Sequence, residues 1–353
     1  MISFYPGPSK LDPHVGEYMK SALQKGILSV NHRSKEFISL SKETILLLKK
    51  KLNIPSEYSV FFTSSATECW EIIAQSLIGT KSAHIYNGAF GEKWYEYTQK
   101  IKPSSQGFSY DLEENLPVQS LNIEENTEVI CIVQNETSNG TQISNQSISE
   151  LKKKFTKSLI AVDVTSSLAG IKLEIKNADI WFASIQKCFG LPAGMGILIC
   201  SPAAIEKAIQ LDENQHYNSL TFMIEKMKGW QTSYTPNVLG IYLLREVLKG
   251  NDKINQIEKV VKKRSEEWYT FLTTFKDIEP LVKSKSQRSH TVIAIKAEEL
   301  KIKKIKEKAK KEGIILGNGY GRWSKTTFRI ANFPALSEKE IQVLKKFLKK
   351  NVR

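Results

Sequence analysis

Between Tyr58 and Cys200, short apolar runs alternate with longer amphipathic stretches, and few folds accommodate that rhythm. Tyr58–Phe62, Ser82–Tyr86, Glu128–Val133, Leu159–Val162, Asp179–Ser184 and Met195–Cys200 are strand-sized and mostly apolar on consecutive positions. Strands buried on both faces have that composition. Cys69–Leu77, Glu92–Ile101 and Ser147–Phe155 carry helical spacing between them. Strands alternating with helices predict an α/β layer with a largely parallel sheet. Only a glycine-rich loop separates the last two runs, which is too short for a crossover helix, so one antiparallel pairing is expected there. A helix over Ser41–Leu52 precedes this region and stops at Asn53-Ile54-Pro55, where the proline cannot continue it.

After Val238 a long helical pattern runs through Ile241–Leu248 and Ile254–Phe275. A smaller unit follows, with strand His290–Ile295, helix Ala297–Glu312, strand Phe328–Ile330 and helix Glu338–Lys349. A chain of 353 residues is expected to divide into two packed units. The expected division is an extended, Pro- and Gly-rich arm over residues 1–14, a large domain over 15–255 and a small C-terminal α/β domain over 256–353.

The net charge of +14 invites a polyanion as partner. The lysines, however, concentrate in Lys49–Lys51, Lys152–Lys154, Lys262–Lys263, Lys301–Lys311 and Lys345–Lys350, mostly interleaved with apolar positions as on a solvated helix face. No nucleic-acid-binding motif accompanies them, so small-molecule partners are expected rather than nucleic acid. The N-terminus MISFYPGPSK lacks the basic start and apolar stretch of a signal peptide. The longest apolar runs, such as Ile180–Ile185 and Ile197–Cys200, are too short to cross a bilayer. No membrane association and a cytoplasmic location are therefore expected. The four cysteines, Cys69, Cys131, Cys188 and Cys200, form no CxxC pair and have no histidine at ligand spacing, which favours reduced thiols over a disulfide framework or a metal site.

Several residues stand where chemistry is usually placed in such a sheet. Asp163 closes the apolar run Leu159–Val162, at the strand end where open α/β sheets bind ligands; a turn or capping aspartate is the plainer alternative. Lys187 is a solitary lysine in an apolar, glycine-rich stretch of a lysine-rich chain. Desolvation there would lower its pKa and make it a nucleophile. Thr63-Ser64-Ser65-Ala66-Thr67 lies at a strand-to-helix turn, where backbone N–H groups and a helix N-terminus can receive a phosphate or simply form a cap. Phe90, in Asn87-Gly88-Ala89-Phe90-Gly91, offers a flat face or a core aromatic. His32-Arg33 and Arg329 are candidate anion clamps or surface ion pairs. A Schiff-base lysine, a carboxylate for a pyridine nitrogen, a phosphate cradle and a flat group are what pyridoxal 5'-phosphate asks of a protein.

Together these residues resemble the class V branch of fold-type I pyridoxal-phosphate enzymes, and most closely the phosphoserine aminotransferase family. Phe4-Tyr5-Pro6-Gly7-Pro8 opens the match and Arg329 ends it, so it spans nearly the whole chain. His32-Arg33-Ser34-Lys35-Glu36-Phe37 resembles the family's HR-x-KEF segment. Leu52-Asn53-Ile54-Pro55 with Tyr58 resembles its lead into the first strand. Asn135-Glu136-Thr137 with Gly140 resembles its NET-x-x-G loop, and Gln186-Lys187 with Gly190 and Pro192-Ala193-Gly194 its cofactor-lysine segment. Thr235-Pro236 resembles the element one subunit lends to its neighbour. The resemblance implies an aspartate aminotransferase-like fold, with a mainly parallel seven-stranded sheet in the large domain. It also implies pyridoxal 5'-phosphate bound covalently to Lys187, with Asp163 on the pyridine nitrogen and Thr137 on the phenolic oxygen. Phe90 would stack on the ring, where the family usually has Trp. Ala66, Thr67, Gln186 and Thr235 of a partner chain would hold the cofactor phosphate. Arg329 would bind the α-carboxylate, and His32 and Arg33 the distal anion. Ping-pong transamination of phosphoserine and 2-oxoglutarate in serine biosynthesis, by a homodimer with shared sites, is the implied activity.

The sequence departs from that pattern at two places. Ser64-Ser65-Ala66-Thr67 replaces a glycine-rich phosphate loop. Gly317-Asn318-Gly319-Tyr320-Gly321, leading to Phe328-Arg329-Ile330, is more similar to alanine–glyoxylate or serine–pyruvate aminotransferases, and Arg322-Trp323 is only a partial counterpart of a second His-Arg pair. Transamination of a small unphosphorylated amino acid is therefore the alternative reaction. A desulfurase-type lyase lacks a suitable cysteine, and a non-catalytic scaffold has no need of Lys187 and Asp163.

Overall fold

The apolar runs become strands that are covered on both faces. The structure, a computed structural model, describes residues 1–352. The chain begins with β1 (Ile2–Phe4), α1 (Val15–Gln24), α2 (Lys35–Leu52), β2 (Ser59–Thr63) and α3 (Ala66–Ser76). It continues through β3 (Ser82–Tyr86), α4 (Ala89–Ile101), β4 (Gln106–Ser109) and β5 (Val129–Val133) to a small hairpin of β6 (Asn135–Glu136) and β7 (Thr141–Gln142). Then come α5 (Asn145–Lys154), β8 (Leu159–Asp163), β9 (Ile180–Ser184), β10 (Gly196–Cys200), α6 (Pro202–Leu211), α7 (Leu220–Met227), α8 (Val238–Gly250) and α9 (Ile254–Leu272). The C-terminal part holds β11 (Glu279–Pro280), β12 (Val292–Lys296), α10 (Glu299–Lys311), β13 (Ile314–Asn318), β14 (Thr327–Ala331) and α11 (Glu338–Asn351).

The large sheet has seven strands in the order β2-β10-β9-β8-β5-β3-β4. β10 runs antiparallel to both of its neighbours, and the other pairs are parallel. The mainly parallel α/β sheet and the antiparallel turn before β10 are as expected. Successive side chains of a strand point to opposite faces, and here both faces are apolar. In β5, Ile130 and Ile132 enter one core layer, while Val129, Cys131 and Val133 enter the other with α3 and α4. In β9, Trp181 and Ala183 pair with the first layer, and Ile180 and Phe182 with the second. Each such fully buried large side chain contributes about 1.5–3 kcal/mol. All four cysteines are buried and unpaired.

Some elements differ from the sequence-based expectation. β4, with sequence QGFS, is short and half-exposed at the sheet edge, so it carries little apolar signal. The long helical pattern after Val238 is two helices, α8 and α9, separated where the backbone turns extended at Asn251. α2 begins earlier than expected because the Ser34 hydroxyl accepts the Phe37 N–H at 3.2 Å and caps it. Ser65 caps α3 in the same way, so Ala66 and Thr67 form that helix's first turn.

The second sheet has the order β1-β13-β14-β12-β11. Its edge strand β1 comes from the N-terminal arm and pairs parallel with β13, Ile2 opposite Ile314. The arm then crosses to the large sheet, where the Ser9 N–H donates to the Gln186 carbonyl at 3.0 Å. No helix among the described residues is long and apolar enough to cross a membrane.

His84 in β3 is fully buried. Its Nε2 lies 3.1 Å from Ser82 Oγ, and its Nδ1 has no partner. Burial lowers its pKa to about 3, so the folded protein keeps this imidazole neutral while the unfolded chain takes up a proton below about pH 6.5. The unfolded state then binds more protons, and stability is lost as pH falls from 6.5 toward 3. His84 is expected to contribute up to about 1.4 kcal/mol per pH unit to that loss. Urea-unfolding midpoints measured from pH 7 to 4 should fall less steeply in His84→Phe than in the wild type.

Candidate active site

The carboxyl ends of β2, β9, β8, β5 and β3 lie on one edge of the large sheet, because β2 and β9 share the neighbour β10 antiparallel to both. Ligands bind outside such an edge, and a cavity of about 280 Å³ opens there. Ala66, Thr67, Phe90, Thr137, Asp163, Gln186 and Lys187 line it together with Trp70, Lys93, Asn135, Thr165 and Tyr320.

Lys187 follows β9 and is only 8% exposed. Its Nζ donates to Thr137 Oγ1 at 3.3 Å and lies 5.6 Å from the Phe90 ring centroid. Thr137 Oγ1 donates in turn to Ser166 Oγ at 2.9 Å, and Ser166 Oγ donates to the Asn135 carbonyl at 2.9 Å. A relay of fixed hydroxyls therefore orients the amine. Burial, and next the charge of Arg329, bring the Lys187 pKa down to about 8, against the opposing pull of Asp163.

Asp163 ends β8. Thr165 N–H donates to its Oδ1 at 2.8 Å, and Trp70 Nε1 donates to its Oδ2 at 3.4 Å. Burial pushes this carboxyl above its ordinary range, while those hydrogen bonds and Lys187 work the other way. A cationic ring nitrogen beside it would favour the carboxylate further.

Glu136 fixes the position of Phe90. Its buried carboxylate accepts from the Phe90 and Gly91 N–H groups, both at 3.2 Å, and from Ser138 N–H at 2.9 Å. It thereby serves the N-terminus of α4, whose own N-cap Gly88 has no side chain for the task. A Cβ on Gly88 would lie 2.3 Å from Glu136 Cγ, so the approach requires glycine.

Arg329, on β14, is buried. Its Nη1 donates to the Thr137 carbonyl and its Nε to the Asn318 carbonyl, each at 2.6 Å. It does not line the cavity itself and lies against Tyr320, 5.5 Å from that ring's centroid. His32, Arg33 and Thr235 form a separate group. Arg33 Nη1 donates to Gln231 Oε1 at 2.7 Å and to the Thr232 carbonyl at 2.9 Å, and Thr235 Oγ1 is 3.4 Å from His32 Nδ1. None of the three lines the cavity of its own chain.

Sequence reasoning missed Trp70, Lys93 and Tyr97. Trp70 stands one helical turn beyond Ala66, and Lys93 and Tyr97 stand three and seven residues beyond Phe90, so helical spacing from the chosen residues would have found them. Glu68, buried in the first turn of α3, also escaped notice. It accepts from Ser64 N–H and Ser64 Oγ at 2.6 Å, and from the hydroxyls of Tyr217 and Tyr234 at 3.0 and 3.4 Å.

The donor set fits pyridoxal phosphate. Gln186 Oε1 is buried on the cavity wall without a partner, and a polar ligand completes such an atom. The start of α3 faces the same space and is suited to a phosphate. A Cβ on Gly7 of the arm would lie 2.9 Å from Lys187 Cε, so the arm closes tightly over the lysine stem.

Comparison with known proteins agrees with this geometry. Residues 3–323 match the model of the family described as aminotransferase class-V. The chain is 24% identical to a phosphoserine aminotransferase of Rhodococcus opacus over 356 residues, covering 96% of this chain and 92% of that protein. A solved phosphoserine aminotransferase of Cytophaga hutchinsonii is 33% identical, with a TM-score of 0.94 over 100% of this chain and 99% of the other. An alanine–glyoxylate aminotransferase of Nostoc sp. shares the fold at 20% identity, with a TM-score of 0.84 over 100% of this chain and 95% of that one.

A Lys187 pKa of about 8 makes the neutral amine predominate above that pH. Uptake of pyridoxal phosphate by the apoprotein, followed by absorbance, is expected to accelerate about tenfold per pH unit below 8 and to level off above it. A rate still climbing at pH 10 would mean an ordinary lysine. Lys187→Ala should leave no borohydride-fixed adduct at this site.

Proposed function

The chain belongs to the aminotransferase class-V family, within it to the phosphoserine aminotransferases, and is a pyridoxal-phosphate transaminase; from that premise we propose that it exchanges amino groups between phosphoserine and 2-oxoglutarate. The observation that carries this reading is a buried amine of lowered pKa near a buried carboxylate at the sheet edge, with an arginine, Arg329, bonded to the same Thr137 that the amine meets. When bound, the cofactor supplies an electron sink for bonds at the substrate α-carbon and a carrier for the amino group.

Each role below is a proposal for this chain's own residues. Lys187 would hold the cofactor covalently and then, once displaced by the substrate amine, move the proton at the α-carbon. Its lowered pKa suits both tasks near neutral pH. Asp163 would keep the pyridine nitrogen protonated, and Thr137 would hold the phenolic oxygen. The first turn of α3, Ala66 and Thr67, would receive the phosphate with Gln186, and Phe90 would cover one ring face. Arg329, oriented by two main-chain carbonyls, would take the substrate α-carboxylate.

A homodimer with shared sites follows from the same reading. His32, Arg33 and Thr235 are grouped away from their own cavity, which suits residues lent to a neighbour. Exposed apolar side chains flank both segments: Met19, Leu23 and Leu28 ahead of His32, and Tyr217 and Phe222 ahead of Thr235. A second copy would cover them. The partner subunit's His32 and Arg33 would then bind the distal anion and the partner's Thr235 the cofactor phosphate.

The reaction is tested by adding phosphoserine, glutamate, alanine or serine separately to the loaded protein and following its absorbance through a single turnover. Fast conversion with phosphoserine and glutamate is expected. Fast conversion with alanine or serine and none with phosphoserine would favour the alternative reaction. Shared sites are tested by mixing subunits. Arg33→Ala is expected to weaken phosphoserine roughly ten- to a hundred-fold, and Lys187→Ala to abolish turnover. Refolded together, the two should regain about a quarter of wild-type turnover, since half of random dimers would hold one intact site. No recovery would exclude donation of Arg33 across the interface.

A further inference from the structure

Helix α4 presents Phe90, Lys93 and Tyr97 to the cavity, a spacing of three and four residues that puts them on one face. Lys93 Nζ donates to the Tyr320 hydroxyl at 2.7 Å and lies 5.0 Å from the centroid of that ring. The Arg329 guanidinium lies 5.5 Å from the same centroid. Phe90 stacks on Tyr320 at 4.8 Å with an interplanar angle of 15°. One aromatic ring therefore has a cation from α4 and a cation from β14 within reach, and a second ring fixes its plane.

The hydrogen-bond partner of Lys93 is a phenol, and among the described residues no ion pair cancels its charge at the cavity wall. That bond also raises the Lys93 pKa, and the ammonium is the form present at neutral pH. A half-buried lysine on an amphipathic helix ordinarily turns its ammonium to water. This one is kept against the cavity by the Tyr320 hydroxyl.

We infer that Lys93 is a specificity-determining residue whose ammonium receives the distal anion of the substrate, a phosphate or an ω-carboxylate, while Arg329 takes the α-carboxylate and Tyr320 sets the spacing between them. The inference rests on the proposed two-anion substrate. It adds a cation of the chain's own to the clamp that the partner subunit's His32 and Arg33 would supply. An amino acid without a second anion leaves Lys93 on Tyr320 and gains nothing from it.

The test uses the loaded holoenzyme in wild-type, Lys93→Met and Lys93→Arg forms. For each, the second-order rate constant of the amino-donor half-reaction is measured with phosphoserine, glutamate and alanine, and cofactor affinity by absorbance titration. In Lys93→Met, the preference for phosphoserine and for glutamate over alanine is expected to fall roughly ten- to a hundred-fold, with cofactor affinity kept and Lys93→Arg restoring most of the preference. An unchanged preference would overturn the inference, as would an equal loss on all three donors together with weakened cofactor binding. If wild-type protein itself converts alanine but neither anionic donor, the proposed reaction fails and the role of Lys93 fails with it. That outcome is distinct because it needs no variant.

Discussion

An amine buried near an arginine and largely stripped of water loses much of its hold on a proton, and the candidate site depends on that loss at Lys187. The competition is visible in its neighbours. Desolvation and Arg329 favour the neutral amine, while Asp163 favours the ammonium. Desolvation and the guanidinium win because Lys187 Nζ hydrogen-bonds the Thr137 hydroxyl, which forms no ion pair, and not the Asp163 carboxylate. Asp163 is held by Thr165 and Trp70 instead. In the proposed roles, the carboxylate would thereby be free for another cation and the amine for a carbonyl.

The sheet makes this arrangement rigid. Asp163 ends β8, Lys187 follows β9, and Asn135 to Thr137 follow β5, so three adjacent parallel strands deliver the acid, the amine and the hydroxyl to one edge. Apolar packing on both faces of these strands leaves little freedom of register. Two further ties reach the site from outside the sheet. Glu136 holds the start of α4 and with it Phe90, and the arm runs from β1 in the second sheet to the carbonyl oxygens of Gln186 and Lys187 through Ser9. Arg329 and Tyr320 belong to the second sheet and its loops, so any ligand that engages them and Lys187 bridges the two sheets.

The large sheet was legible because a strand buried on both faces must be apolar at nearly every position, and Val129–Val133 and Ile180–Ser184 meet that demand without ambiguity. β4 was not, since an edge strand needs only half of that apolar content. β1 and β13 were missed for another reason: β1 is three residues long and gains its strand character only by pairing with a segment more than three hundred residues away. Within the site, Lys187 and Asp163 were legible because each is a charged residue closing an apolar run, a costly placement without a use. Trp70 and Lys93 were overlooked, since a tryptophan or a lysine on an amphipathic helix is ordinary, and only their helical spacing from Ala66 and Phe90 points them at the cavity. The grouping of His32 and Arg33 with Thr235, rather than with the cavity, could not be read from the chain either, because it depends on where residues about two hundred positions apart meet.

The net charge of +14 and the charge at the cavity are separate matters, though both are positive. Most lysines lie on solvated helix faces, where water and salt screen them beyond about 10 Å. Lys93 and Arg329 differ because each has neutral partners: a phenol for the half-buried lysine, two main-chain carbonyls for the buried arginine. The direction of each is fixed by the groups that bind it, and the buried Arg329 also keeps its field in a low-dielectric surrounding. Tyr320 serves both, accepting from Lys93 through its hydroxyl and meeting Arg329 at its ring, so the separation of the two cations is set by one rigid side chain. A flexible pair of surface lysines would attract any anion. A pair tied to one ring would prefer a molecule whose own two anions are spaced to match, and in the proposed reading that is how a broadly basic protein would discriminate between donors with one acidic group and donors with two.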